Sequence, residues 1–150
     1  MTQENEIYRI GKEHALRRLG RRECSSRDIL GHLIKKGIPE ALAGEVVSEL
    51  VSSSLISDAR YARMLVREQA GRAKGPAAIR QKLREKGIQL ELSEIKSLLS
   101  EVTEVSEVDM ARALIERKYP NAQKDKVEAR RAFQTLLRRG FSYEVIKEVL

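Results

Sequence analysis

Apolar residues recur three and four positions apart along most of this chain, the spacing of one helix face. No stretch alternates β-branched with polar residues, so strands are not expected. A first helix is predicted over roughly Glu4 to Leu19, with Ile7, Ile10, Ala15, Leu16 and Leu19 inward. Ser25-Ser26-Arg27-Asp28 has the form of a capping box and starts a second helix, which Gly37 stops. Pro39 suits the first position of a third, carrying Leu42, Val46, Val47 and Leu50. The plan then repeats. Ser57-Asp58 opens a helix with Tyr61, Ala62, Leu65 and Val66, ended by Gly71. Pro76 opens another that runs to Lys86-Gly87, and Leu92, Ile95, Leu98 and Leu99 mark the inward face of the next. Ser106-Glu107-Val108-Asp109 is a second capping box, and its helix, through Ala111, Leu114 and Ile115, breaks at Tyr119-Pro120-Asn121. A helix from about Lys124 to Arg139 is expected to bury Phe133, Leu136 and Leu137. A short terminal helix carries Val145, Ile146, Val149 and Leu150.

One unit recurs within this plan. Ile29, Leu33, Lys36, Gly37 and Ile38 are matched by Ile79, Leu83, Lys86, Gly87 and Ile88, and more loosely by Ala132, Leu136, Arg139, Gly140 and Phe141. The three glycines lie about fifty residues apart, within the range of structural repeats. Apolar residues four apart share a helix face, a cation near the C-terminus suits the helix dipole, and glycine supplies a left-handed C′ residue. The apolar residue after it then packs back onto the helix. The chain therefore divides into three units, residues 1–52 (with the N-terminal helix), 53–103 and 104–150. Three short helices bury little area alone, so the units should stack on their neighbours. The expected fold is all-α, an elongated or curved array of three tandem three-helix repeats.

Composition narrows the function classes. Of the 150 residues 41% are hydrophobic, 34% charged and only 4% aromatic, as suits short amphipathic helices with much exposed surface. The net charge of +7 favours polyanionic partners: nucleic acid, an acidic protein surface, or a protein coating nucleic acid. The cations are spread along the chain, not gathered on one strongly hydrophobic helix, and no apolar run is long enough to span a bilayer, so no membrane partner is expected. The first six residues, Met1-Thr2-Gln3-Glu4-Asn5-Glu6, are polar and acidic, unlike a signal peptide. Cys24 is the single cysteine, which excludes an intrachain disulfide and fits a cytoplasmic setting. It precedes a helix start near several arginines, a setting that activates thiols, but a small inert loop residue is the expected role.

Nothing points to catalysis. His14 and His32 have no helical relation to Cys24 or to each other, and the chain has no HExxH, phosphate-binding loop or nucleophile elbow. No metal site and no cofactor is expected. The informative chemistry is basic. Arg60, Arg63 and Arg67 share one face of a helix whose other face carries Ala62, Leu65 and Val66. Arg72 and Lys74 follow in a loop, Arg80 and Arg84 sit four apart on the next helix, and Arg131 and Arg138 repeat the idea one heptad apart. Any charged helix must face water somewhere, but between Arg60 and Arg84 only Glu68 interrupts the cations before Arg84 is reached. These nine side chains are the candidate surface for a polyanion or protein partner. The aromatics occupy mostly inward positions, with Tyr8 and Tyr119 the ones open to exposure, so base stacking and direct sequence reading are not expected.

The stretch Leu55-Ile56-Ser57-Asp58-Ala59-Arg60-Tyr61-Ala62, followed by Gly75-Pro76-Ala77-Ala78-Ile79-Arg80-Gln81-Lys82-Leu83 and Lys86-Gly87-Ile88, resembles the central motif of the RecX family of bacterial recombination regulators. The flanking copies match too, in Ser25 to Ile29 with Leu33 and Lys36-Gly37, and in Phe133 to Phe141. The resemblance covers nearly the whole chain. It departs at Ser57-Asp58, where the family usually has two acidic residues, and in a short N-terminal arm. It implies three tandem three-helix units and a regulatory role: binding of the RecA recombinase, chiefly as its filament on single-stranded DNA, with inhibition of its ATPase, strand-exchange and coprotease activities. That would modulate recombination and the SOS response. The partner is then the RecA filament, with single- or double-stranded DNA touched through phosphates, and a monomer is expected. Two rivals are a helix-turn-helix-like DNA-binding protein acting without RecA, and an adaptor for some other acidic partner.

Overall fold

The computed structural model describes residues 2–150. They form nine helices and no strand: α1 (Gln3–Leu19), α2 (Ser26–Lys35), α3 (Glu40–Ser52), α4 (Asp58–Gly71), α5 (Pro76–Glu85), α6 (Leu92–Thr103), α7 (Glu107–Lys118), α8 (Lys126–Arg138) and α9 (Tyr143–Val149). The chain is all-α, as expected. Pro39 sits one position earlier than predicted. Its ψ of 141° takes it out of the helix, and its carbonyl accepts the first helical bond from the Ala43 N–H at 2.9 Å, so it is the N-cap of α3.

The recurring Lys/Arg-Gly-apolar segment ends a helix in the same way three times. Gly37, Gly87 and Gly140 have φ of 88°, 74° and 89°. The glycine N–H donates to the carbonyls of Ile34, Arg84 and Leu137, and the following N–H donates to those of Leu33, Leu83 and Leu136. This pair of bonds defines the Schellman motif and satisfies carbonyls that a helix end leaves open. Ile38, Ile88 and Phe141, next in sequence, are buried where the motif predicts its apolar contact.

The chain divides into two compact units, one ending at Ala62 and one spanning Arg63–Leu150, with the division inside α4. In the first, Ala15 of α1, Ile29 and Leu33 of α2, Ala43, Val46 and Leu50 of α3, and Ile56 form the core. Ile10 and Leu16 are exposed, contrary to expectation. α1 buries a narrow stripe, Gly11 and Ala15, and each of the two larger residues is displaced from it by one position, about 100° around the helix. Ser25 caps α2 by accepting from the Asp28 N–H, while the Asp58 carboxylate, from the start of α4, accepts from the Ser26 N–H at 2.8 Å. α1 is tied to α3 through Glu49, which accepts from Tyr8 and from Lys12.

In the second unit Leu65 and Val66 of α4, Ile79 and Leu83 of α5, and Ile95 and Leu99 of α6 are buried. A further cluster joins Ala111, Leu114 and Ile115 of α7, Ala132 and Leu136 of α8, and Val145, Ile146 and Val149 of α9. Leu92 and Leu137 are exposed where burial was expected, and Phe133 is half-buried against the exposed Tyr143. Leu136 and Leu137 are adjacent, so only one can face the core formed by Ala132 and Thr135. Ser106 caps α7 through the Asp109 N–H, but the Glu107 carboxylate binds the N–H and hydroxyl of Ser142 at the start of α9.

Within this unit the C-terminal end of α8 abuts the N-terminal end of α5. The Arg139 carbonyl accepts from the Gly75 N–H at 2.7 Å, and the Gly140 carbonyl from the Ala77 N–H at 3.0 Å. Opposite ends of two helix dipoles meet here, and each supplies what the other lacks. The approach leaves no room for a side chain. A Cβ on Gly75 would lie 2.5 Å from the Phe141 nitrogen, and one on Gly140 would lie 2.3 Å from the Ala78 nitrogen.

Candidate partner-facing surfaces

Half of the eight arginines singled out from the sequence have carboxylate or backbone partners in the folded chain. Arg60 donates through Nε to Glu23 at 3.1 Å and through Nη2 to the Ser54 carbonyl at 2.8 Å, both in the first unit. Arg63 of α4 pairs with Glu101 of α6 at 2.9 Å, in the second unit. Arg72 lies 3.8 Å from Glu68, and half-buried Arg80 lies 3.7 Å from Glu91. Folding thus supplies the acidic partners that are scarce along this stretch of sequence. Such partly exposed pairs stabilise little, about 0–1 kcal/mol each, but they do occupy the guanidinium groups. Arg67, Lys74, Arg84 and Arg131 form no ion pair among the described residues, and Arg138 reaches only the Thr135 hydroxyl, at 3.5 Å.

Two of these side chains are brought together. Arg67 and Arg72 line a cavity of about 550 Å³ in the second unit, with Arg117 of α7 and Arg139. Arg139 is fixed there by donating from Nη1 to the Arg72 carbonyl at 2.9 Å. The rest of the lining is largely apolar, with Ala70, Ala73, Val102, Val105, Met110 and Leu114, beside Thr103 and the carboxylate of Asp109. Lys74, Arg80, Arg84, Arg131 and Arg138 do not line it. Arg117 and Arg139 were missed because their neighbours Arg67 and Arg72 lie 45 or more residues away in sequence, and only folding brings them together.

A second cationic group occurs in the first unit and was not anticipated. His14, Arg17 and Arg18 of α1, Arg21 just beyond it, and His32 and Lys36 at the end of α2 surround a cleft of about 210 Å³. The two imidazoles, which sequence distance left unrelated, lie 6.4 Å apart edge to face. Arg18 Nη1 is 3.5 Å from His32 Nδ1. Burial, then the charges of Arg18 and Lys36, push the His32 imidazole below its usual range. The signal was present in the spacing. His14, Arg17 and Arg18 share one face of α1, Arg21 follows at the same spacing just past its end, and His32 and Lys36 lie four apart at the end of α2.

Cys24 is buried, and burial pushes its thiol up despite the pull of Arg18. The inert reading of that residue therefore stands over the reactive one. No group of three or more His, Cys, Asp or Glu among the described residues could hold a metal ion, and no helix is long and apolar enough to cross a membrane.

The family profile for the second three-helix domain of RecX matches residues 57–94, and that for its third three-helix domain matches residues 106–150. A regulatory protein RecX of Halorhodospira halophila is 33% identical over 91% of this chain and 83% of its own length. The chain belongs to the RecX family. The RecX of Pseudomonas entomophila is 35% identical over 88% of the chain and 84% of that protein. Against the RecX of Geobacillus kaustophilus, 33% identical, this chain spans 92% of itself but only 52% of the relative. The crystal structure of RecX from Lactobacillus salivarius superposes with a TM-score of 0.81, at 26% identity over 97% of this chain and 95% of that one. A RecX regulatory role follows from this membership, and the matched domains account for the all-α fold.

Proposed function

We propose that this RecX-family chain binds the RecA recombinase, chiefly as its filament on single-stranded DNA, and inhibits its ATPase, strand-exchange and coprotease activities. Recombination and the SOS response would be restrained accordingly. The observation that carries the reading beyond family membership is the groove of the second unit. Four arginines, Arg67, Arg72, Arg117 and Arg139, line it together with several apolar side chains and a single carboxylate, Asp109. That combination fits a protein segment presenting carboxylates around an apolar side chain, with apolar burial giving affinity and the charges giving orientation. Arg60, Arg63, Lys74, Arg80, Arg84, Arg131 and Arg138 are proposed as supporting contacts to acidic protein surface or DNA phosphate. Arg60 and Arg63 would first have to leave Glu23 and Glu101, which makes the unpaired cations the stronger candidates. The three-unit division at residues 52 and 103 is likewise proposed, and the spans of the second- and third-domain matches support it.

The test is RecA ATPase on single-stranded DNA with the chain titrated in, comparing wild type with Arg67→Glu/Arg117→Glu. The double variant should need at least about tenfold more protein for the same inhibition, equivalent to about 1.4 kcal/mol. Unchanged inhibition by a folded variant would refute the groove assignment. Inhibition well below stoichiometric amounts would indicate interference with filament growth, and inhibition only near saturation would indicate coating of the filament.

A further inference from the structure

We propose that the cleft formed by His14, Arg17, Arg18, Arg21, His32 and Lys36 binds a backbone phosphodiester of nucleic acid, and that the His32 imidazole takes up a proton as it binds. Cations near helix C-termini are ordinarily explained by the dipole. That explanation is insufficient here, because elsewhere on α1 the cations are matched: Arg9 pairs with Glu6 and Glu13, and Lys12 pairs with Glu49. In the cleft no carboxylate is among the lining groups, and four permanent cations converge with two imidazoles. Their mutual repulsion opposes folding unless an anion enters. His32 feels it directly, since burial first, and then the neighbouring charges of Arg18 and Lys36, disfavour its protonation.

No carboxylate of the packed helices lines the cleft. α3, which packs on both α1 and α2, carries Glu40, Glu45 and Glu49, and none of them lines the cleft. Glu49 is committed to Tyr8 and Lys12. Asp28 acts on Cys24 and Arg18 also reaches that thiol, so Arg18 is the one member with competing contacts. At about 30 Å³ per water, the cleft of about 210 Å³ holds a volume of roughly seven waters, room for a phosphate with part of its sugar. An anion placed among these groups would favour the protonated His32 imidazole, so binding and protonation are linked. A phosphodiester does not itself titrate near neutrality, so any pH dependence of its binding in that range reports on the protein.

The experiment follows the two imidazoles by NMR, with no RecA present, so its outcome is independent of the proposed inhibition. A short oligothymidylate is titrated into the full chain, with inorganic phosphate in a parallel series. We expect both imidazole resonances to shift saturably with the oligonucleotide, and affinity to rise, by at most about tenfold per pH unit for the one proton taken up, as pH falls from about 7.5 to about 5.5. Lys36→Gln should reduce the slope of log affinity against log salt by about 0.7, the value for one phosphate contact on a single strand. His32→Gln should flatten the pH dependence while leaving the salt slope nearly unchanged. Rings that do not move with the oligonucleotide, a response to inorganic phosphate alone, or an affinity independent of pH would each overturn the proposal.

Discussion

Replacing Gly75 with alanine should destabilise the second unit although its backbone angles, φ −88° and ψ 175°, would accept any residue. The cost is steric. The new Cβ would lie 2.5 Å from the Phe141 nitrogen and 2.6 Å from the Gly140 carbonyl oxygen, backbone atoms that cannot rotate away. The α5 start and the α8 end must separate, and two hydrogen bonds, Gly75 N–H to Arg139 and Ala77 N–H to Gly140, are lost or stretched. At a net 0.5–1.5 kcal/mol each, that is about 1–3 kcal/mol. Gly140→Ala should cost more, because a φ of 89° adds about 1–2 kcal/mol of left-handed strain to the clash with Ala78. Gly37→Ala isolates that strain, since φ is 88° but nothing lies within 4 Å of the added methyl. Urea unfolding followed by circular dichroism measures all three, read as midpoint shifts at constant slope. The order of loss should be Gly140→Ala first, with Gly75→Ala clearly below wild type. A Gly75→Ala chain within about 0.5 kcal/mol of wild type, the range of a neutral surface change, would refute the close approach of the two helix ends.

Leu136→Ala should cost about 2–5 kcal/mol by opening a cavity, and Leu137→Ala within about 0.5 kcal/mol; denaturant melts of the pair would distinguish them, and equal losses would contradict the register of α8. The His32 imidazole lies below its unfolded value of 6.5, so between the two values the unfolded chain holds more protons and stability rises with pH. Thermal melts should therefore show a loss as pH falls through about 6.5, absent in His32→Gln, whereas Glu49, held low by Lys12 and Tyr8, should lose its contribution only below its ordinary value of 4.5.

The helix ends were legible because their chemistry is local: Lys36-Gly37-Ile38 and its two copies contain every group the Schellman motif needs. Burial was legible wherever periodicity singled out one residue per turn, as with Ile29 and Leu33. It failed where apolar residues adjoin the buried stripe, as with Leu137 beside Leu136 and with Ile10 and Leu16 beside Gly11 and Ala15. Charge pairing was invisible for another reason. Arg60 finds Glu23 across 37 residues and Arg63 finds Glu101 across 38, so acidic partners cannot be counted along the chain. The His14 and His32 cleft lies between these cases. Each helix face could be read alone, but only folding sets them facing one another.

The Asp58 carboxylate that caps α2 has a consequence for modularity. It belongs by sequence to the second repeat, as do Ile56, 1% exposed in the first core, and Arg60, bound to Glu23. A fragment cut at residue 52, where the sequence register changes, would lose a cap, a core side chain and an ion pair together. Exchange of units between relatives should therefore succeed only when the crossover carries these residues along with the unit they complete.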